Sequence, residues 1–199
     1  MRLPALIGRD EYPASTTAQA KWLLGKLVVR CTSAGVMIGR IVEAEAYLPN
    51  DPAAHAFRGM TPRNQSLFLE KGHAYVYIAY GVSKMLNVSA GREGVGTGVL
   101  IRGLEPVSGI PLMEKNRGLT TLRDLTRGPG RLAQARDVDL SLQGHDLCRR
   151  GLLWLGNDGH EAGKTGKSKR IGITKNADAL LRFYVKDNPF VSGPKSLNG

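Results

Sequence analysis

The chain has 199 residues, 42% of them hydrophobic, enough for one core that buries about 70% of the unfolded surface. No apolar run approaches the roughly 18 residues of a membrane span, and the two cysteines and four histidines are too scattered for a disulfide framework or a Cys/His zinc site. With 28 Lys and Arg against 17 Asp and Glu, the net charge of +11 favours polyanionic partners, because neutralised phosphates release counterions.

The opening Met1–Pro13 lacks the charged-then-apolar layout of a signal peptide, so an intracellular location, cytoplasmic or nucleoid-associated, is expected. Thr16-Thr17-Ala18-Gln19 fits a capping box ahead of an apolar-periodic run through Trp22, Leu23 and Leu27, which predicts a first helix. Leu27–Cys31, the Ser33–Gly35 turn and Val36–Tyr47 predict a β-hairpin with a long second strand. Pro49–Asn64 is polar and rich in Pro and Gly, hence a loop. Ala74–Tyr80 is dense in β-formers, Gly81 breaks it, and Met85–Ser89 returns; Gly98–Leu104 makes a further strand. Helical character follows around Pro111–Asn116 and Leu132–Arg136, then strands at Leu152–Leu155 and Leu181–Val185, with the Gly-rich 156–169 stretch read as a loop. Strands that come as hairpins argue for an α+β fold with a mainly antiparallel sheet, one domain over residues 1–199.

The positive charge is concentrated in two places. Between Glu114 and Arg136 six basic residues (Lys115, Arg117, Arg123, Arg127, Arg131, Arg136) face two acids, and Lys164, Lys167, Lys169 and Arg170 form a second cluster. Each cluster alone reads equally well as a solvated face; together they make nucleic acid the leading partner class.

Glu43, Glu45 and Tyr47 alternate on the long strand and so share one face. Two acids there read either as solvated surface carboxylates or as a carboxylate beside an aromatic wall, suited to deprotonating water. Arg102, alone in the apolar run Val99–Leu104, calls for an acidic partner that Glu45 would supply, as a structural ion pair or as a device that keeps a general base ionised. Tyr75 and Tyr77 face one side of their strand and Tyr80 sits at the turn tip; such tyrosines pack in cores, or stack on bases and wedge into a duplex. His55 and Asn87 are lone polar residues. Phosphate-binding glycine loops, GxSxG and HExxH are missing, so no cofactor or metal is expected and the chemistry falls to Glu, Arg, Tyr, His and Asn.

Seven strings in order carry a resemblance: Arg40–Tyr47, Ala53–His55, Thr61–Asn64, Tyr75–Gly81, Asn87–Ser89, Val99–Pro106 and Leu181–Val185. Together they resemble the single-domain alkyladenine (3-methyladenine) DNA glycosylase family, over about Ala18 to Ser192. The resemblance implies a fold like the C-terminal domain of methionyl-tRNA formyltransferase. It also implies hydrolysis of the N-glycosidic bond of damaged purines (alkylated, hypoxanthine, ethenoadenine) flipped from double-stranded DNA. Glu45 then falls on the residue that activates water and Arg102 on its partner. Tyr47, His55 and Tyr77 fall on the walls around the flipped base, Tyr80 on the inserted side chain, and Asn87 on the position that crowds guanine's exocyclic amine. Ile171, Gly172 and Ile173 match the loop that helps hold the water, with Thr174 where the family has glycine. No lysine is placed for Schiff-base chemistry, so a monofunctional enzyme without strand nicking is expected, acting as a monomer. Two other readings stay open on the residues: a non-catalytic nucleic-acid-binding module on the same scaffold, and a small-molecule hydrolase using Glu45 and Arg102.

Overall fold

The computed structural model describes residues 3–198. In chain order its elements are β1 (Ala5–Leu6), α1 (Thr16–Trp22), β2 (Leu27–Thr32), β3 (Gly35–Tyr47), β4 (Ala74–Ala79), β5 (Ser83–Ser89), β6 (Gly98–Ser108), α2 (Ile110–Arg117), α3 (Leu122–Leu125), α4 (Pro129–Ala135), β7 (Leu153–Asn157), β8 (Thr165–Ser168) and β9 (Arg182–Val185). The strands form one antiparallel sheet in the order β1-β7-β2-β3-β6-β5-β4, with β9 joining β3 and β8. This is the expected α+β class, a curved sheet with few flanking helices.

Alternation divides the sheet into two chemical faces. Ala44, Ala46, Val76, Leu86, Val88, Val99 and Ile101 point into the main core, where Ala20, Leu23 and Leu24 from α1 and its exit and Leu132 and Ala133 of α4 meet them. The opposite face carries Glu43, Glu45, Tyr47, Tyr75, Tyr77, Asn87 and Arg102, with the period of 2 that a strand imposes.

The long β3 organises the sheet. Its first half pairs with β2, its Glu43–Glu45 stretch pairs with β9 on the same edge, and its other edge pairs with β6. The β3–β6 register shifts around Ile38/Gly39, Ile41/Glu43 and Glu43/Ala44, which are bulges. Ile41 and Ala44 both belong to the main core while Val42 packs with Tyr184, Phe190 and Val191. Val42 and Glu43 therefore occupy a single step of the alternation, and the strand bends at the place where its two acids lie.

Several sequence expectations need correction. The N-cap of α1 is Ser15, whose Oγ accepts from the Ala18 N–H, and the helix ends at Trp22. Gln19 is buried and donates to the carbonyls of Pro13 and Ala90, so it is a core hydrogen-bonder and not a capping-box partner. Part of the 156–169 stretch is β8, which pairs with β9; Gly and Lys hide it from a propensity argument, and the edge pairing supplies it. β6 runs on to Ser108, and β1 and α3 are too short to leave a periodic signal.

Candidate active site

Both strand acids are fully buried, so the solvated-carboxylate reading is wrong. Burial without partners would be costly, and each carboxylate is instead fully engaged. Glu45 Oε1 accepts from the Ile171 backbone N–H at 2.8 Å and lies 3.3 Å from Arg102 Nη1; its Oε2 accepts from the Tyr47 hydroxyl at 3.0 Å. Glu43 Oε1 takes Arg102 Nε at 3.0 Å and Arg182 Nε at 2.7 Å. The expected pairing of Arg102 with Glu45 is present, and Arg102 is shared with Glu43, a partner that counting along the strand leaves unassigned.

The two acids titrate in opposite directions. Burial pushes the Glu45 carboxyl above its ordinary value, against the Arg102 charge and the hydrogen bonds from Ile171 and Tyr47. Burial acts on Glu43 too, but there the Arg102 and Arg182 guanidiniums outweigh it and hold the carboxyl low. Burial and the neighbouring Glu45 charge raise the Tyr47 hydroxyl, which stays a donor.

Beside Glu45 lies an aromatic slot, a cavity of about 280 Å³ lined by Tyr47, His55, Tyr75, Tyr77, Asn87 and Ile173 among others. Tyr75 and Tyr77 stack at 5.4 Å, and the His55 ring meets Tyr77 edge-on at 4.4 Å. His55 Nδ1 is 2.9 Å from the Tyr75 hydroxyl. Burial, then the Arg63 charge, lowers the His55 value, while burial pushes Tyr75 up to about 12, so both groups are neutral near pH 7. Asn87 Nδ2 donates to the Tyr75 carbonyl, fixing its amide at the slot wall.

The loop expected at Pro49–Asn64 is braced by two of its buried residues, Asn64 and Asp51. Asn64 donates to the carbonyls of His55 and Gly59 and accepts from the Thr61 N–H. Asp51 accepts from the Ala53 N–H and Asn176 Nδ2, and its other oxygen pairs with Arg170. Arg170 in turn donates to the Ala46 carbonyl and lies 4.6 Å over the Tyr47 ring. Asp51 and Arg170 thus tie the His55 loop to the Ile171–Ile173 loop behind Tyr47. Sequence reading assigned neither this role; a buried acid and a buried arginine 119 residues apart give no local signal.

The slot opens into a wider groove of about 770 Å³ lined by Tyr80, Lys84, Arg102, Arg117, Arg127, Arg131 and Ile171–Ile173. Tyr47, Tyr77, Ala79, Tyr80, Gly172 and Ile173 line both cavities. Tyr80 is 82% exposed at the β4–β5 turn and has a φ of 51°, followed by Gly81 at 73°. Not all of the expected surface charge is on the surface. Arg136 is fully buried, its guanidinium donating to the carbonyls of Val28 and Met37, and Arg170 is buried as described. Neither cavity is lined by Glu45 itself, which sits one layer in, covered by Tyr47, Arg102 and Ile171.

Residues 10–189 match the family model described as methylpurine-DNA glycosylase. The chain belongs to this family. Relatives provisionally named 3-methyladenine DNA glycosylases match it over almost their whole lengths. A Mesorhizobium japonicum protein is 63% identical over 191 residues, covering 96% of this chain and 92% of its own. A Paraburkholderia phytofirmans protein is 46% identical over 195 residues, covering 98% and 91%. One from Methanoculleus marisnigri is 44% identical over 196 residues, covering 96% and 99%. Membership decides among the three readings left open by the residues: the protein is a DNA glycosylase of the methylpurine type, an enzyme of DNA repair and alkylation damage, and its substrate is DNA. No helix among the described residues of this glycosylase is long and apolar enough to cross a membrane, and no group of three or more His, Cys, Asp or Glu among them could hold a metal ion.

Proposed function

We propose that the glycosylase flips a damaged purine out of double-stranded DNA into the Tyr47–His55–Tyr77 slot and hydrolyses its N-glycosidic bond with a water activated by Glu45. The observation that carries this reading is the Glu45 carboxylate, held by Arg102, the Ile171 N–H and the Tyr47 hydroxyl directly behind the slot wall. As the bond from C1′ to the base nitrogen breaks, the purine takes the electron pair and the sugar becomes oxocarbenium-like. The ionised Glu45 offsets that charge and takes the proton of the water whose oxygen bonds to C1′. Burial favours protonated Glu45, and the Arg102 charge and the hydrogen bonds from Ile171 and Tyr47 oppose it, favouring the ionised form that accepts the proton. The Ile171–Gly172–Ile173 loop lines the slot and groove and contacts Glu45, and so is suited to hold the water between them.

Flipping costs a few kcal/mol of unstacking, least for damaged or mispaired bases. Stacking against Tyr77 and Tyr47 and insertion of exposed Tyr80 into the vacated space are of the size to offset it. A methylated purine carries ring charge, stacks well on tyrosine faces and departs as a neutral base. Hypoxanthine and ethenoadenine rely more on shape, and Asn87 at the wall crowds the exocyclic amine of guanine. No lysine lines the slot, and Lys84 is the one lysine that lines the groove, which supports a monofunctional enzyme. Monomeric action on duplex DNA completes the reading.

Single-turnover release from a duplex carrying one hypoxanthine or ethenoadenine tests it. Release by the natural protein, with a loss of about a hundredfold or more in Glu45→Gln, is expected. Equal release by both proteins removes Glu45 as the base. Tight, salt-sensitive binding without release of any damaged purine removes the substrate assignment.

A further inference from the structure

Glu43 is a second buried acid within reach of Arg102, and water activation makes no direct use of it. Its Oε1 accepts from Arg102 Nε at 3.0 Å, Arg182 Nε at 2.7 Å and the Ser192 hydroxyl at 2.9 Å, and its Oε2 accepts from the Ser192 N–H at 2.7 Å. We propose that Glu43, held by Arg182 and Ser192, is the positioning residue that turns the Arg102 guanidinium toward Glu45.

The geometry of a guanidinium carries the argument. Its five N–H donors lie in one rigid plane, so fixing Nε on Glu43 and Nη2 on the Ser192 hydroxyl at 3.3 Å leaves Nη1 no choice but the Glu45 side, 3.3 Å from Oε1. Arg182 is held just as completely: Nη1 on the Ser168 hydroxyl and the Leu197 carbonyl, Nη2 on the Ser192 carbonyl and Asn198 Oδ1. Two acids and two arginines thus form a neutral buried set, and protonating Glu45 would leave it with a net positive charge. Buried ion pairs seldom stabilise more than apolar residues of similar volume, so stability alone is a weak reason for this set.

The Ser192–Gly193 segment lies against two of the three residues that hold Glu45, Arg102 and Ile171. Ser192 orients Arg102, and a Cβ on Gly193, whose φ is +80°, would lie 2.5 Å from Ile171 Cδ1. The segment is clamped in place by Arg123 on the Pro189 carbonyl and by Arg127 on those of Val191 and Gly193.

The inference rests on Glu45 being the base, and the test separates the two. Base release under single turnover is measured from pH 5 to 8.5 on a duplex carrying one ethenoadenine for the natural protein, Glu43→Gln, Ser192→Ala and Glu45→Gln, together with melting temperature and affinity for a duplex carrying an abasic-site analogue. The groups facing Glu45 are Arg102 from β6, Tyr77 from β4, the Ile171 N–H, and Glu43 and Tyr47 on its own strand; the two tyrosines stay neutral in this range. Glu43→Gln is expected to lower the plateau rate about tenfold with unchanged DNA affinity, and to move the acid limb to lower pH, because a like charge beside Glu45 is gone while both arginines remain. The limb shift reports the lost charge alone; the plateau loss at unchanged DNA affinity in the folded variant reports the positioning, and a purely structural role would not give it. Ser192→Ala keeps both ion pairs and decides the matter alone if Glu43→Gln fails to fold. It is expected to lose about three- to tenfold in rate at a near-natural melting temperature, with its acid limb in place. Natural rates in the folded variants overturn the proposal, as does a rate loss that tracks melting temperature and DNA affinity. An inactive Glu45→Gln beside fully active Glu43 and Ser192 variants overturns the positioning role alone; an active Glu45→Gln overturns the base assignment beneath it.

Discussion

Tyr80 stands at the tip of the β4–β5 turn, 82% exposed and with a left-handed backbone, φ 51°. Its packing contributes little, since so exposed a side chain buries little surface. Tyr80→Gly therefore separates fold from function. A left-handed non-glycine residue costs roughly 1–2 kcal/mol, while the added freedom of glycine in the unfolded chain takes back about 0.4–1 kcal/mol. The variant should be between unchanged and about 1.5 kcal/mol more stable, read from urea unfolding. The reaction should suffer in the opposite sense. Losing a side chain that stacks in the vacated space forfeits roughly 1–3 kcal/mol, or about 5- to 150-fold in the flipping equilibrium. Single-turnover release from a fully paired duplex measures this, and the same lesion in single-stranded DNA is the control, because no vacated space needs filling there. A folded Tyr80→Gly at the natural rate on paired DNA would refute the reasoning, and an equal loss on both substrates would show that Tyr80 acts on chemistry and not on extrusion.

The acid limb of the natural enzyme should lie above the ordinary carboxylate value, because burial raises Glu45 and only the ionised form accepts a proton; a rate that stays flat down to pH 4 contradicts this. Asp51→Asn should cost roughly 3–5 kcal/mol at pH 7, since it strands the buried Arg170 charge. Burial pushes the Asp51 carboxyl up, but its hydrogen bonds from Arg170, Ala53 and Asn176 and the Arg170 charge hold it below its ordinary value. The contribution is therefore fully present above that ordinary value and fades as pH falls through the lowered one, so natural and variant unfolding curves should converge in acid. Asn87→Ala should raise release of guanine-derived lesions relative to hypoxanthine, because its amide is pinned at the slot wall by the Tyr75 carbonyl; an unchanged substrate ratio would remove Asn87 as the discriminator.

Much of the fold was readable along the chain. The hairpin of β2 and β3, the Tyr-rich β4 with its return strand, and the antiparallel class all follow from local propensity and a period of 2, which act over a few residues. The same alternation placed Glu43, Glu45 and Tyr47 on one face, and the lone Arg102 in an apolar strand announced an acidic partner. The burial of both acids was not readable, because it depends on what covers that face. The cover is the Ile171 loop, Arg182 and Ser192, which arrive from 126, 139 and 149 residues away. Nor could charge counting reveal that Arg136 and Arg170 lie inside, since a guanidinium is drawn inward by carbonyls and carboxylates that only the folded chain brings within reach. Alternation along the strand determined which side chains share a face. The division of Arg102 between two carboxylates, and the opposite titration of those two acids, were decided by long-range packing, because desolvation and ion pairing depend on distance in space and not on spacing in sequence.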